Sequence, residues 1–482
     1  MTIKTIKDPI HGFIDFVGDF ENKLRALLDD PFFLRLRKVK QLGFSDHIFP
    51  SATHTRFSHS LGVYCIARRM LLIVEPEGGP DRWSEKGKAC LAAALLHDVG
   101  HGMFSHAFEG AMKSFLNETD LSKKKDAALR AAVNHETISE RIIKESSVTK
   151  TLEEIGGEGF PDLVSDMVRG KDKTCIYTSI VSSQLDADRL DYILRDPYFA
   201  GVSSGRIDIE WILKNLRYSD PESLFYFDTK AYISMEQFAV SLFQLYPTIY
   251  LHKKTRALES MFSKLLCRIF ELISDGKSSD AGISETHPFV LFFEDPSNLD
   301  NSLLLDDTVL WGSMYQFRNC EDEDVKSLAI AISNRKIDKM VDLWRLADEL
   351  YSELGMEAKY SAKSRVEILN DLCPRAFQNL CKKNPDWKKN LFYDEYSRKV
   401  YSPNPFGKGS PQQINIKIGE KFVDIFDMSP IVASSASFHI HRLYFDPDAF
   451  VQHEELVSSL KEVLKDELFK LKYPTDKTVG SL

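Results

Sequence analysis

Cysteine is sparse and scattered. The seven residues, at 65, 90, 175, 267, 320, 373 and 381, include no close C-x-x-C pair. Neither a zinc ribbon nor a disulfide framework follows, and reduced thiols are expected. An excess of positive charge is also missing. The formal net charge of −9 argues against a general nucleic-acid surface, although a local basic pocket could still hold phosphates. The first nine residues contain no apolar signal core. The apolar run Cys90 to Leu96 falls far short of the roughly 20 residues that span a bilayer. A soluble, cytoplasmic chain with no membrane partner is therefore expected. No internal repeat or low-complexity tract stands out. What is present is ordinary for a globular protein: 482 residues, 43% hydrophobic and 28% charged. That length accommodates two or three core-forming units at roughly 150 residues each.

The first half carries apolar residues at three- and four-residue spacing, which predicts helices over Phe32 to Lys40, Leu61 to Val74, Lys86 to Asp98 and Val181 to Arg195. The last of these should stop before Pro197. Strand-like patterns are few there, at Phe13 to Phe16 and Leu224 to Phe227. Helices resume from Ser234 to about Ile273. The polar stretch Ser274 to Asp280 reads as a boundary. Beyond it Thr308 to Glu349 looks helical. The last hundred residues turn β-rich at Ile414 to Ile418 and Arg442 to Phe445, around a turn-prone stretch from Pro403 to Gly407. The expectation is a mainly α protein: a helical catalytic body over residues 1–273 and a helical and α+β region over 274–482, the latter serving assembly or regulation. The charged stretch Glu118 to Arg130 reads as a solvated insertion.

The chemistry concentrates in His97-Asp98-Val99-Gly100-His101. Adjacent histidine and aspartate offer a neutral nitrogen and a carboxylate to one point, and His101 lies four residues on, where a helix presents the same face. A carboxylate beside Leu95 and Leu96 is costly to bury unless a cation compensates. Histidine plus carboxylate suits iron, manganese, zinc or nickel more than calcium. His59, at a loop-to-helix junction, and Asp188, in a helical tract, are further candidate ligands, leaving open positions for water and a phosphate oxygen. Six of the 13 histidines (54, 59, 97, 101, 106 and 135) fall between residues 54 and 135. Solvated histidines have no reason to crowd in this way.

These motifs, together with Lys7 to Gly12, Arg35 to Gly43, Phe49-Pro50, His54 to Val63, Leu96 to Gly110 and Asp186 to Asp196, resemble the HD-domain phosphohydrolases. Within them they are similar to the dNTP triphosphohydrolases related to the vertebrate sterile-alpha-motif and HD-domain enzyme. The resemblance covers about the first 260 residues and is weaker beyond, where Arg442 to Phe445 carries it. It implies an HD-domain helical core with His59, His97, Asp98 and Asp188 as metal ligands. His106 would protonate the departing 5′-oxygen, His135 and Glu109 would orient His106, and His101 would stand over the phosphates. Arg56 and Arg189 would hold a triphosphate, Gln41, Tyr192 and Asp196 the sugar, and Leu42 the base. Magnesium would accompany the triphosphate. Lys4, Asp29 and Arg37 would belong to a GTP or dNTP activator site, and the assembly would be a dimer or tetramer of identical chains. The sequence departs from its relatives at Glu109 (aspartate there), Arg189 (lysine), Leu34 (polar) and Arg256 (a base-proximal tyrosine).

The implied reaction is metal-dependent hydrolysis of a dNTP to deoxynucleoside and inorganic triphosphate. An HD site alone also admits a phosphodiesterase or nuclease acting on cyclic nucleotides or single-stranded nucleic acid. The Gln41, Tyr192 and Asp196 set favours a mononucleotide. A nucleotide-binding protein without turnover is a third reading, disfavoured by the complete set of candidate ligands and the proton donor.

Overall fold

The computed structural model describes residues 3–79, 82–203, 205–388, 390–403, 409–434, 437–446 and 453–472. The chain is mainly α-helical with small sheets. It divides into two compact units. The first comprises Met1–Thr255, Met261–Arg335 and Val400–Ala436; the second comprises Arg256–Ser260, Lys336–Lys399 and Ser437–Leu482.

The first unit opens with an antiparallel hairpin, β1 (Ile3–Asp8) and β2 (Gly12–Val17). Gly12, at φ 72°, supplies the left-handed residue of its turn. Ile14 and Phe16 alternate inward and are buried, which is the period-2 signal read in the sequence. Behind the hairpin lies a bundle containing α1 (Arg56–Val74), α2 (Glu85–Leu96), α3 (His106–Glu118), α4 (Lys123–Val133), α5 (His135–Glu145) and α6 (Ala187–Ala200). Helix α1 is long and apolar enough to cross a membrane by length and composition, but 61% of that window is buried inside the protein. In α2 the run Cys90 to Leu96 is wholly buried. Its large side chains each contribute about 1.5–3 kcal/mol by leaving water. Ser84 caps α2, its hydroxyl accepting from Gly87 N–H at 3.0 Å.

The structure departs from the sequence expectations in three places. Helix α6 passes through Pro197 to Ala200 rather than stopping before it. Proline removes one intrahelical donor, a local cost in the last turn, and Gly201 at φ 68° then closes the helix, with Val202 N–H donating to Pro197 O at 2.9 Å. The charged stretch expected as a solvated insertion contains α4, which buries Leu129 and Val133 and lays Lys125 Nζ 4.6 Å from the centre of the Phe293 ring. The turn-prone residues 404–407 lie outside the described residues.

The third departure is the boundary. The compact division falls after Arg335 rather than at 273/274, because residues beyond 274 supply hydrogen bonds to the body. Asp307 accepts from Lys40 N–H at 3.0 Å and from Phe104 N–H at 2.7 Å, and Leu305 O accepts from Met103 N–H at 3.1 Å. The chain then returns once more. The strands β3 (Arg217–Ser219), β4 (Leu224–Asp228), β5 (Asn415–Ile418) and β6 (Lys421–Asp424) form one sheet, in which β4 and β5 pair in parallel through Tyr226↔Asn415. The second unit has its own three-stranded sheet and a core that includes Leu350, Leu369, Leu443 and Leu464.

Burial pushes the Asp307 carboxyl up to about 6, against the pull of its two backbone donors and Lys40. The folded chain then keeps a proton that the unfolded chain has released. Asp307's contribution is therefore present at pH 4 and lost as pH rises through 6, by about 3 kcal/mol. Denaturant unfolding at pH 4 and pH 7 should show wild type losing about 3 kcal/mol relative to Asp307→Asn between the two. Parallel profiles would remove Asp307 as the cause.

Candidate metal centre

Three elements bring the centre together. His59 stands in the first turn of α1, His97 and Asp98 at the end of α2, and Asp188 in the first turn of α6. Ligand atoms of His59, His97 and Asp98 all lie within 4.8 Å of one another. Asp188 Oδ1 is 2.9 Å from His59 Nε2 and 3.8 Å from His97 Nε2. The four residues proposed as ligands from the sequence thus face one point.

Each histidine is turned so that Nε2 is left for that point. His97 Nδ1 donates to Ala94 O at 3.0 Å, and its Nε2 is buried without a hydrogen-bond partner. His59 Nδ1 lies 2.7 Å from Asp191 Oδ2. A carboxylate on the far nitrogen fixes the tautomer and makes the near nitrogen a better ligand. Burial opposes a charge on His59, yet hydrogen bonds to Asp188 and Asp191 raise its pKa to about 10. Two carboxylates set on one buried imidazole favour positive charge at this point. An orphaned imidazole nitrogen, a second imidazole and two carboxylates fit a divalent transition metal.

Asp191 is itself held from two sides. Arg195 donates to it at 2.8 and 3.0 Å, and His11 Nε2 lies 2.6 Å away. Arg195 also donates to Asp8 at 2.9 and 3.2 Å. Asp191 and Arg195 are fully buried, a costly arrangement that only complete pairing makes tolerable. Gly62 makes room for it: a Cβ there would stand 1.9 Å from Asp191 Oδ1 and 2.5 Å from Arg195. Asp191, Arg195, His11 and Asp8 are not among the residues expected at the site from the sequence. The available signal was the Asp191 and Arg195 spacing of four residues on a helix already carrying Asp188.

A second group of side chains adjoins the first. His135 Nδ1 is 2.5 Å from Glu109 Oε1, and His106 Nδ1 is 3.8 Å from the same oxygen. His101 stacks on His135 with ring centres 4.0 Å apart. Burial tends to raise the Glu109 pKa, but His106 and His135 hold it well below the usual carboxylate range. His106 is exposed, with 73% of its side chain open to solvent. The turn before it is strained: Phe104 and Ser105 have φ of 49° and 56°, each costing on the order of 1–3 kcal/mol. It is tied down by Asp307, by the Phe44 ring stacked on Phe104 at 4.2 Å, and by Arg56 Nε donating to Ser105 Oγ at 2.7 Å. Gly100 lets α5 approach, since a Cβ there would stand 2.2 Å from His135 O.

Several expected roles change. Arg56 is buried and spends its guanidinium on Asp98 and Ser105, so it braces a candidate ligand instead of awaiting phosphate. Asp196 is 1% exposed, with His54 Nε2 at 2.9 Å from Oδ1 and Tyr250 O–H donating to Oδ2 at 2.7 Å. Its oxygens are engaged within the protein. His101 is buried with Nε2 turned toward Asp98 Oδ1 at 3.4 Å. Arg189 is partly occupied, 3.4 Å from both Gln184 Oε1 and Val400 O. Tyr192 lies half-buried, its ring centre 6.2 Å from that of Tyr250. Gln41 Oε1 is buried without a partner, and Leu42 beside it is half-buried. Arg256 is bound to Asp394 and Glu259 in the second unit. Lys4, Asp29 and Arg37 are exposed, and no hydrogen bond or ion pair joins them; Arg37 lies 3.6 Å over the Phe57 ring.

The HD domain matches residues 56–193, a span that includes every ligand described above. An uncharacterized Bacillus subtilis protein, YwfO, is 32% identical over 74% of this chain and 78% of its own length. This chain belongs to the HD-domain phosphohydrolase family. A crystal structure of a phosphohydrolase from Bacteroides thetaiotaomicron superimposes with a TM-score of 0.66 at 25% identity, covering 92% of this chain and 99% of that one. The Bos taurus deoxynucleoside triphosphate triphosphohydrolase SAMHD1 is 30% identical over 46% of this chain and 40% of its own length.

If Asp191 orients His59, Asp191→Asn should weaken metal binding about 10–100-fold in a chelator competition. Gly62→Ala should lower the melting temperature through the clash it creates, a cost of about 1–3 kcal/mol. Unchanged metal affinity in Asp191→Asn would show that the His59 contact does not govern the site.

Proposed function

We propose that this HD-domain phosphohydrolase hydrolyses deoxynucleoside triphosphates to deoxynucleoside and inorganic triphosphate. The observation that carries the reading is the exposed His106, backed by Glu109 and His135, immediately beside the His59, His97, Asp98 and Asp188 pocket. Hydrolysis at the α-phosphorus needs two things at once: charge compensation at the phosphate and a proton for the leaving 5′-oxygen. A divalent ion held by the four ligands would supply the first and lower the pKa of a bound water. His106 supplies the second, with Glu109 holding its Nδ1 side so that Nε2 faces out. His135 anchors Glu109. Arg56 keeps Asp98 oriented, and Arg189 lies within the first two turns of α6, near enough to Asp188 to reach an anionic phosphate.

Similarity to SAMHD1 supports the substrate class. The orphaned Gln41 amide oxygen supports it further, since a buried acceptor awaits a hydroxyl donor such as that of a sugar. Tyr192 with Tyr250 forms an aromatic wall, and Asp196 keeps Tyr250 in place. Magnesium would travel with the triphosphate. From the scattered, unpaired cysteines we place the enzyme in the cytoplasm, and from the family resemblance as a homodimer or homotetramer. Activation by GTP or a dNTP through the face carrying Lys4, Asp29 and Arg37 belongs to the proposal as well.

The test is direct. Purified protein incubated with each dNTP and NTP, with manganese or magnesium and with or without GTP, should release deoxynucleoside and triphosphate. Nucleotides released from an oligonucleotide instead would transfer the site to nucleic acid. His97→Ala or Asp98→Ala should lose the ion of this pocket together with turnover. His106→Ala should keep the metal and lose about 10²–10⁴ of kcat; undiminished turnover there would end its assignment as the acid.

A further inference from the structure

Next to the HD ligands, His101, His106, Glu109 and His135 bring donor atoms within 4.8 Å of one another. Three imidazole Nδ1 atoms converge on a single oxygen, Glu109 Oε1, at 2.5 Å from His135, 3.8 Å from His106 and 4.0 Å from His101. The other oxygen, Oε2, is turned toward Lys113 Nζ at 3.7 Å. Oε1 is thereby left as a monodentate donor in a setting that is 8% exposed.

His101 adds an independent observation. The residue is 2% exposed, its Nε2 faces Asp98, and its Nδ1 is buried without any hydrogen-bond partner. A proton on Nε2 serves Asp98, and the Nδ1 lone pair then points toward the Glu109 carboxylate. His135 serves Glu109 Oε1, but His101 Nδ1 faces that oxygen at 4.0 Å with no donor between them, a position that a cation would fill.

We infer that His101, His106, Glu109 and His135 form a second divalent transition-metal site, separate from the one held by His59, His97, Asp98 and Asp188. Three imidazoles and one carboxylate are a donor set for zinc, cobalt, manganese or iron rather than for magnesium or calcium. Tetrahedral donors about 2.1 Å from an ion stand about 3.4 Å apart, so the cluster must contract modestly. His106, exposed at the start of α3, is the member free to move. His101 lies between the two sites, one ring nitrogen toward each. The consequence for turnover rests on the function proposed above: an ion on His106 Nδ1 takes the place of the proton that makes the ring an imidazolium, leaving Nε2–H a far weaker acid, so filling this second site slows proton transfer to the leaving oxygen. Activity would rise with the first equivalent of metal and fall with the second.

Equilibrium dialysis of the apo protein against cobalt(II), with metal counted per chain, decides the matter. Wild type should bind two ions. His97→Ala, His106→Ala and His135→Ala should each bind one, and His97→Ala/His106→Ala none. Because His106 is exposed, its replacement leaves the core intact, which circular dichroism checks. Saturation of wild type at one ion, or a count of two retained in both His106→Ala and His135→Ala, would overturn the site. In a parallel dNTP assay, turnover that stays level while the second cobalt binds would overturn the inhibitory consequence. Complete absence of turnover would instead strike the proposed function, and the two-ion count would still uphold the site.

Discussion

The contact on which the rest of the centre depends is the hydrogen bond from His59 to Asp191. A histidine can bind metal only through an unprotonated nitrogen, and it is the carboxylate behind His59 that decides which nitrogen that is. Placing that carboxylate in a helical core would be ruinous alone. Arg195 neutralises it, Asp8 in turn engages Arg195, and His11 completes the coordination of Asp191. The N-terminal hairpin is therefore more than a surface feature. Its turn supplies two of the groups that keep a metal-binding imidazole correctly oriented, and the space for the whole arrangement exists because α1 carries glycine at position 62.

A similar logic governs the proton-transfer side. Phe104 and Ser105 adopt conformations unfavourable to any residue with a side chain, and the surrounding structure overrides that preference with an aromatic stack and hydrogen bonds from distant segments. Arg56 links the two halves: its guanidinium spans Asp98 on one side and the strained turn on the other. The candidate ligand and the proposed acid are thus held by a common brace.

How far this was readable in the sequence depends on what each residue's role requires. His59, His97, Asp98 and Asp188 declare themselves because their chemistry is local to the side chain and their spacing places them on helix faces. Arg56 and Asp196 do not. A charged residue near a pocket looks free in a sequence, and only the fold shows that Arg56 is spent on Asp98 and Asp196 on His54 and Tyr250. Asp191 is faint in the sequence for the opposite reason: its four-residue spacing to Arg195 fits a solvated surface pair as well as a buried one until the groups behind it are known. The strands at Leu224 to Phe227 and Ile414 to Ile418 were legible from alternation, but not that they pair with each other across the intervening helices. A boundary drawn at one point along the chain could not express a body to which residues 261–335 and 400–436 both return.

The tether from Asp307 to Phe104 also orders events in time. Every candidate ligand lies at or before residue 188, whereas Asp307 follows 119 residues later. A domain folds as a unit. The turn that presents His106 is therefore fastened only by a segment made long after the groups it stands beside, and a chain cut short of Asp307 would carry the whole candidate cluster with that turn untied.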